Sequence, residues 1–150
     1  MSQENPTTTK RWLAERTWNE PNQRIDITVD AEYRMAVLFT GKGSMAGAKA
    51  LIDLIESLRT EFGHHVMISA LVDMRRLDGA PLRAQVVLGR WLMMSKKQIA
   101  KVAIFGGKPF EMGVARAVMT IAGMGQKASF GNHLDDALRF LGWPPERYPA

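Results

Sequence analysis

The feature that most constrains this 150-residue chain is a regular exchange between two hydrophobic patterns. Short apolar runs at 66–72, 101–105 and 127–130 are typical of strands that are buried on both faces. Between them lie longer segments whose apolar residues recur every three or four positions, which is the period of an amphipathic helix. Strands and helices that alternate in this way form a parallel sheet with right-handed crossovers. The sequence therefore predicts an α/β domain.

The segment before these runs predicts an opening β-hairpin. Apolar and polar residues alternate through 25–29, as in a half-buried strand, and 33–40 predicts the antiparallel partner. The stretch 12–18 fits one short helix that Pro21 would close. The predicted order is β-β-α-β-α-β-α-β-α, a mixed and mostly parallel sheet of about five strands with four helices.

Capping residues set the expected ends of the helices. The first helix, 45–62, follows Ser44 as its N-cap, and Gly63 is expected to close it in the left-handed conformation. Pro81 is expected as the first residue of the second helix, 82–97, and Asn132 as the N-cap of the last one. Residues 73–80, between a strand and the second helix, are expected to form a loop.

Length and composition predict one domain over 24–145, with 1–23 as an N-terminal tail or edge segment and 146–150 as a C-terminal tail. Hydrophobic residues make up 46% and charged residues 23%, which is ordinary globular usage. The absence of cysteine excludes disulfides, thiolate metal sites and cysteine nucleophiles. No apolar run is long enough for a membrane helix and the polar start is no signal peptide, so a soluble, cytoplasmic protein is expected.

The net charge of +5 is concentrated in one region. From 74 to 116 only Asp78 and Glu111 oppose the basic residues, which are Arg75, Arg76, Arg83, Arg90, Lys96, Lys97, Lys101, Lys108 and Arg116. No nucleic-acid-binding motif accompanies them, so a solvated basic face is expected. Nucleic-acid binding stays a third hypothesis that rests on charge alone, and it would show a steep salt dependence.

A search for catalytic and metal-binding residues predicts no enzyme, no cofactor and no metal site. His64 and His65 lie in a turn without further ligands nearby in the sequence. Ser44 is the one serine at a strand-to-helix turn, and a helix cap explains it. Asp53 and Glu56 share the outward face of the first helix and are expected to be solvating charges.

The carboxyl edge of the predicted sheet gathers positive charge. In open α/β sheets ligands bind at this edge, where helix N-termini present free N–H groups. The loops there carry Lys42, the pair Arg75 and Arg76 with Asp78, and Lys108. One hypothesis is that the edge, with Ser44, binds an anionic headgroup, a carboxylate or an acidic partner side chain. The alternative is three ordinary solvated loops.

Asp73 is the strongest single acidic candidate, because it ends a buried strand at that edge. An aspartate in this position is expected to accept backbone N–H bonds from its own loop rather than to catalyse.

Methionine is in excess, with ten in the chain, and several lie on or beside the second and third helices together with Trp91. Flexible thioethers fill irregular cores and also line adaptable binding surfaces. Core filling is one interpretation. The other is a pocket or partner groove between these helices, with Trp91, Met94 and Met112 as candidate contacts.

Three stretches carry a resemblance to a known fold. Residues 66–79 read VMISALVDMRRLDG, 101–106 read KVAIFG, and 130–143 form the closing segment. They are similar to the STAS domain of bacterial anti-sigma-factor antagonists, the SpoIIAA-like fold. They are closer to a branch of small bacterial SpoIIAA-like proteins that is related in architecture to CRAL-TRIO lipid carriers. The likeness is a pattern of apolar runs and not a catalytic signature.

The resemblance implies a non-enzymatic regulatory module that acts through protein–protein interaction. Partner-switching antagonists carry a phosphorylatable hydroxyl at the start of the second helix, but here Asp78 precedes Gly-Ala-Pro. A kinase-driven switch of that kind is therefore not expected. The methionine-rich helices and the basic edge support an alternative, a carrier or sensor of a small hydrophobic or amphipathic anion. A homodimer stays open.

Overall fold

The computed structural model describes residues 12–149, which form one six-stranded sheet against four helices. The sheet order follows the sequence, with antiparallel pairing through the third strand and parallel pairing after it. The strands are Ala14–Glu20 (β1), Gln23–Val29 (β2), Arg34–Gly41 (β3), Ile68–Leu77 (β4), Ile99–Phe105 (β5) and Ala128–Gly131 (β6). The predicted α/β class, opening hairpin and parallel half are confirmed, with one strand more than expected.

The helices divide between the two faces of the sheet. They are Met45–Phe62 (α1), Leu82–Ser95 (α2), Pro109–Ile121 (α3) and Leu134–Leu141 (α4). Val72 in β4 and Ile104 in β5 face α1, α2 and α3, whereas their neighbours Leu71 and Ala103 pack against α4. Because adjacent strand residues point to opposite faces, three helices cover one face and α4 covers the other.

The first strand corrects the helix that the sequence predicts at 12–18. β1 pairs with β2 along its whole length, from Ala14 opposite Val29 to Glu20 opposite Gln23. A short segment of mixed pattern fits either period, and the pairing partner decides between them. Here β2 would otherwise be an edge with unpaired backbone groups, and β1 satisfies them. The described part of segment 1–23 is therefore an edge strand of the sheet.

The fourth strand extends past the point where the sequence predicts its end. The predicted loop 73–80 instead begins as strand, up to Leu77, through a bulge in which Phe39 of β3 faces two residues of β4. The polar residues there resemble a loop in sequence, but Asp73 accepts the backbone N–H of Arg75 at 3.0 Å. A bulge bends a strand and redirects its side chains, so the polar groups find partners within the sheet.

Two of the predicted helix ends differ from the structure. Ser44 is the N-cap of α1, as predicted, and its Oγ accepts the N–H of Gly47 at 3.0 Å. Gly63 has φ 101° and ψ 136°, which is a positive φ outside the left-handed helical region. The N-cap of α4 is His133 and not Asn132, and its side chain makes no capping hydrogen bond.

The second helix begins at Leu82 as predicted, but the role of Pro81 and the position of the helix end differ from the prediction. α2 begins at Leu82, so Pro81 is its N-cap in extended conformation and not its first residue. It ends at Ser95, and a 3-10 turn, Lys96–Gln98, follows.

The last residues close the α4 face rather than forming a free tail. The side chain of Arg147 is 3% exposed and lies against the rings of Trp12 and Trp143, with guanidinium-to-centroid distances of 4.6 and 5.3 Å. It donates to the backbone oxygens of Thr28 at 3.0 Å and Arg34 at 2.6 Å. The segment predicted as a tail thus packs on the domain through Tyr148.

Between residues 12 and 149, no helix has both the length and the apolar character that crossing a lipid bilayer requires.

Candidate functional site

The loops at the carboxyl edge of the sheet meet as the sequence analysis expects. The N–H of Gly43 donates to the oxygen of Gly79 at 2.8 Å, and the N–H of Asp78 donates to the oxygen of Gly41 at 2.7 Å. The Nζ atom of Lys108 lies 2.5 Å from Oδ1 of Asp78. The loops after β3, β4 and β5 therefore form one connected edge.

The charges of this edge partly cancel. The hydrogen bond and charge of Lys108, with a smaller contribution from Lys42, lower the pKa of Asp78. The same pair raises the pKa of Lys108. Both side chains are more than half exposed, so solvent screens the pair. The edge is less cationic than a count of its lysines indicates.

Asp73 and Arg75 form a second pair, on the α4 face. The guanidinium donates to both carboxylate oxygens, at 3.0 Å from Nε and 2.8 Å from Nη2, and the Tyr148 hydroxyl donates to Oδ2 at 2.7 Å. Burial pushes the pKa of Asp73 up, but the hydrogen bonds outweigh it and the net shift is downward. Burial, followed by the bond to this carboxylate, raises the pKa of Tyr148.

The predicted cationic rim is therefore split between two faces of the sheet. Arg75 and Arg76 border an open groove of about 470 Å³ on the α4 face, together with Asp73 and Tyr148. Lys42 and the Lys108 pair lie where helices α1 to α3 begin. A bulge in β4, which the sequence analysis took for a loop, turns the two arginines away from the lysines.

On the opposite face, a cavity of about 190 Å³ lies between the sheet and helices α1, α2 and α3. Its walls are mostly apolar and include Val37, Leu51, Val72, Leu88, Val102 and Met119. Small residues also face it from the helices, namely Ala48, Ala84, Gly89 and Ala115. Protein interiors are close-packed, and a void larger than a few water molecules is uncommon. The small side chains leave this space unfilled.

Polar groups lie at two ends of the cavity. At the carboxyl edge of the sheet, Ser44 donates to the buried side chain of Gln23 at 2.9 Å. At the other end, Nη1 of Arg59 donates to Oε2 of Glu56 at 2.9 Å and lies 3.4 Å from Oγ of Ser95. Of these residues, Glu56 alone does not line the cavity.

The sequence analysis missed Arg59 and took Glu56 for a solvating charge. Glu56 accepts hydrogen bonds from Arg59 and from Nε1 of Trp91, the latter at 2.7 Å. The spacing of Glu56 and Arg59, three residues apart on one helix, was the available signal. It became informative only once α2 placed Trp91 and Ser95 beside the pair.

The three candidates from the methionine-rich helices lie in different surroundings. Trp91 lines the cavity. Met94 is 76% exposed on α2, and Met112 packs beside Gly107 and Met74 in the core. The candidate pocket therefore takes in Trp91 but neither of the two methionines.

Outside the cavity, α2 and α3 expose apolar side chains that we call the α2–α3 face. It consists of Leu82, Val86, Met93, Phe110 and Ile121, which are between 42% and 76% exposed. The three α2 residues share one side of that helix, as do the two of α3. The helices touch each other below this face, where Gly89 leaves room for Val118.

Within the described range 12–149, no three or more histidines, aspartates and glutamates group in a way that could hold a metal ion.

Comparison with known proteins identifies the fold. No protein-family model and no curated protein matches the chain. A solved structure of an uncharacterised protein of the DUF3478 family from Shewanella loihica PV-4, described as having a SpoIIAA-like fold, is 24% identical. It has a TM-score of 0.58, and the match covers 84% of this chain and 98% of that one. The fold is SpoIIAA-like.

A second structure supports the same conclusion. The anti-sigma factor antagonist SpoIIAA in its unphosphorylated form has a TM-score of 0.51 at 10% identity, over 87% of this chain and 99% of that one. The resemblance stated from the sequence is confirmed at the level of the SpoIIAA-like fold. At these identities the likeness establishes architecture, and function has to be argued from the surfaces described above.

Proposed function

We propose that this chain is a non-enzymatic binding module that recognises a protein partner through the α2–α3 face. The observation that carries the proposal is the exposure of large apolar side chains on two adjacent helices. Grouped exposure of this kind marks an interaction surface, whereas scattered apolar residues do not. One solved protein of the same fold is named an anti-sigma factor antagonist, which agrees with a role in binding proteins.

The charges beside this face indicate the chemistry of the partner. Arg83 and Arg90 are exposed and lie seven residues apart on α2, so they share one side of the helix, next to its apolar side. Lys97 is exposed in the 3-10 turn that follows. Within residues 12–149, none of the three has a carboxylate partner. An exposed apolar helix face with one charged border suits the apolar side of an amphipathic helix. The partner segment would therefore be acidic along one side.

The two aspartates of the polar clusters are unsuited to act as general acids. Asp73 and Asp78 are both held as ionised partners of cations, and the pKa of each is lowered. A general acid at neutral pH would need a raised pKa. These carboxylates instead stabilise the bulge and the loop edge.

The test uses two synthetic peptides and the labelled protein. Both peptides carry a leucine stripe, flanked by glutamates in one and by lysines in the other, and binding is followed by amide NMR shifts. We expect the acidic peptide to bind and to shift α2 and α3 amides. Val86→Asp should weaken binding at least about tenfold. Met67→Asp is the control, because Met67 is as exposed as Val86 but lies outside the face.

Three results would contradict the proposal. The two peptides could bind equally, or Val86→Asp could bind as the wild type does. Stronger binding to vesicles of phosphatidylcholine and phosphatidylserine than to the acidic peptide would assign the face to a membrane surface instead.

The cavity favours a second candidate function, a carrier or sensor of a small hydrophobic or amphipathic ligand. Apolar volume that stays empty costs stability, because the side chains that line it lose packing contacts. A ligand that fills it would restore part of that stability. Native mass spectrometry of protein from its own host should show a retained small molecule that Ala84→Leu, which fills the cavity, no longer holds. The same added mass on both proteins, or no added mass on either, would contradict this candidate.

A further inference from the structure

We propose that the cavity binds a short apolar monocarboxylate whose carboxylate pairs with Arg59. The proposal rests on the carrier function above and names its ligand class and its anchoring residue. It also reassigns the headgroup contact from the carboxyl edge of the sheet to the opposite end of the cavity.

The position of the guanidinium supports this assignment. The Arg59 side chain is 11% exposed, which is unusual for an arginine on the surface of a helix. Its Nη1 atom lies 3.4 Å from Oγ of Ser95, a residue that is 5% exposed and lines the cavity, as Arg59 itself does. The guanidinium therefore lies at the cavity wall.

The guanidinium of Arg59 also has N–H donors that no acceptor within residues 12–149 uses. Of its nitrogen atoms, Nη1 alone donates to an atom of residues 12–149, to Glu56 and more weakly to Ser95. An arginine has five N–H donors in a fork that matches a carboxylate. Glu56 is 42% exposed, so it can turn toward solvent when a ligand carboxylate takes its place. A buried cation beside an apolar space selects a ligand with one anionic end.

The other end of the cavity does not offer such a contact. Ser44 donates to Oε1 of Gln23 and its Oγ also caps α1, and neither side chain carries a positive charge that could pair with a carboxylate. Lys42 and Lys108 do not line the cavity. The headgroup is therefore expected where the strands β4 and β5 begin.

The volume limits the ligand to a small molecule. An engineered apolar cavity of about 150 Å³ binds benzene, whereas pockets for drug-sized ligands reach roughly 300 Å³ or more. A cavity of about 190 Å³ suits an aromatic ring or a short aliphatic chain and excludes long acyl chains. Octanoate and the neutral octan-1-ol are a matched pair of probes for this size.

The experiment measures the affinity of both probes by calorimetry for the wild type and three variants. We expect octanoate to bind the wild type and Arg59→Gln to weaken it by about 10- to 100-fold, with octan-1-ol unaffected. Arg83→Gln is the control, since Arg83 is exposed and does not line the cavity, and it should change neither affinity. Glu56→Gln should strengthen octanoate binding, because it removes the carboxylate that competes for Arg59.

The outcomes distinguish a failure of Arg59 as the anchor from a failure of the carrier function. If Arg59→Gln leaves octanoate binding unchanged, or weakens both probes equally, Arg59 is not the anchor, although the cavity still binds ligands. Weaker octanoate binding by Glu56→Gln would also refute the anchor. If neither octanoate nor octan-1-ol binds the wild type, the carrier function fails and the anchor with it.

Discussion

The two faces of the sheet differ in how completely side chains fill the space under the helices that cover them. Directly under α4 the sheet is packed with large side chains, among them Phe105, Leu138 and Trp143, and the buried charges beside them are paired. The open groove on this face lies outside that packed cluster, at the carboxyl edge of the sheet. The face under α1, α2 and α3 has small residues at Ala48, Ala84 and Ala115 and keeps a cavity. The first arrangement favours stability, and the second leaves room for binding.

The difference shows how one domain can place stabilising contacts on one face and space for binding on the other. Asp73 ties the bulge of β4 to Tyr148, and Arg147 ties β2 and β3 to the chain end, so polar groups close the α4 face. Hydrogen bonds and ion pairs within a buried network make a region rigid and specific. Since that stability is supplied on one face, the other can tolerate unfilled volume and exposed apolar side chains.

The largest expected effect comes from removing a buried charge on the α4 face. Asp73→Ala leaves Arg75 and Tyr148 without their shared acceptor, and we expect the free energy of unfolding to fall by about 2–4 kcal/mol. Asp78→Ala removes the partner of Lys108 at the same edge, where both side chains are solvated, and should leave the urea midpoint nearly unchanged. Equal urea midpoints for the two variants would show that the buried Asp73 pair stabilises the fold no more than the exposed Asp78 pair does.

Two alanines of equal burial test the packing difference directly. Ala137 on α4 is 4% exposed and Ala84 on α2 is 3% exposed. Ala137→Leu overpacks a filled face and should lower the free energy of unfolding by about 1–3 kcal/mol. Ala84→Leu extends into the cavity and should raise it by about 0.5–2 kcal/mol. Urea titrations measure both, and a loss of stability in both variants would show that the cavity does not accept a side chain.

The smallest effect concerns pH and tests the network at Asp73. The pKa of this carboxyl is lowered in the folded protein, so the stabilisation is present above its ordinary value near 3.8 and is lost as the pH falls below it. The difference in urea midpoint between wild type and Asp73→Asn should therefore be constant from about pH 7 to 5 and shrink at about pH 3. A difference that persists undiminished at the lower pH would mean that the charge of Asp73 does not stabilise this face.

The elements predicted correctly are those whose own residues determine them. The apolar period of α1 and its Ser44 cap give the helix its limits at Met45 and Phe62. The buried β5 and the parallel order follow from apolar runs joined by helices. β1 was mistaken for a helix, and the end of β4 for a loop, because both depend on pairing partners distant in the sequence.

The candidate site was predicted less completely. Chain order alone places the loops of Lys42, Asp78 and Lys108 at one edge, because parallel strands end there together. The direction of each side chain depends on the bulge in β4, which separates Arg75 and Arg76 from the lysines. Arg59 drew no attention, since its role needs a second helix beside it.

The sequence by itself determined the alternation of strands and helices and the parallel half of the sheet, because hydrophobic period and caps are local properties. The SpoIIAA-like fold was indicated by a resemblance to a known family and not by these patterns alone. Only the tertiary structure decided where volume stays empty and which charges meet. Packing density and the position of Ser95 beside the Arg59–Glu56 pair depend on how separate helices pack against one sheet. No pattern within a single segment encodes the space between two of them.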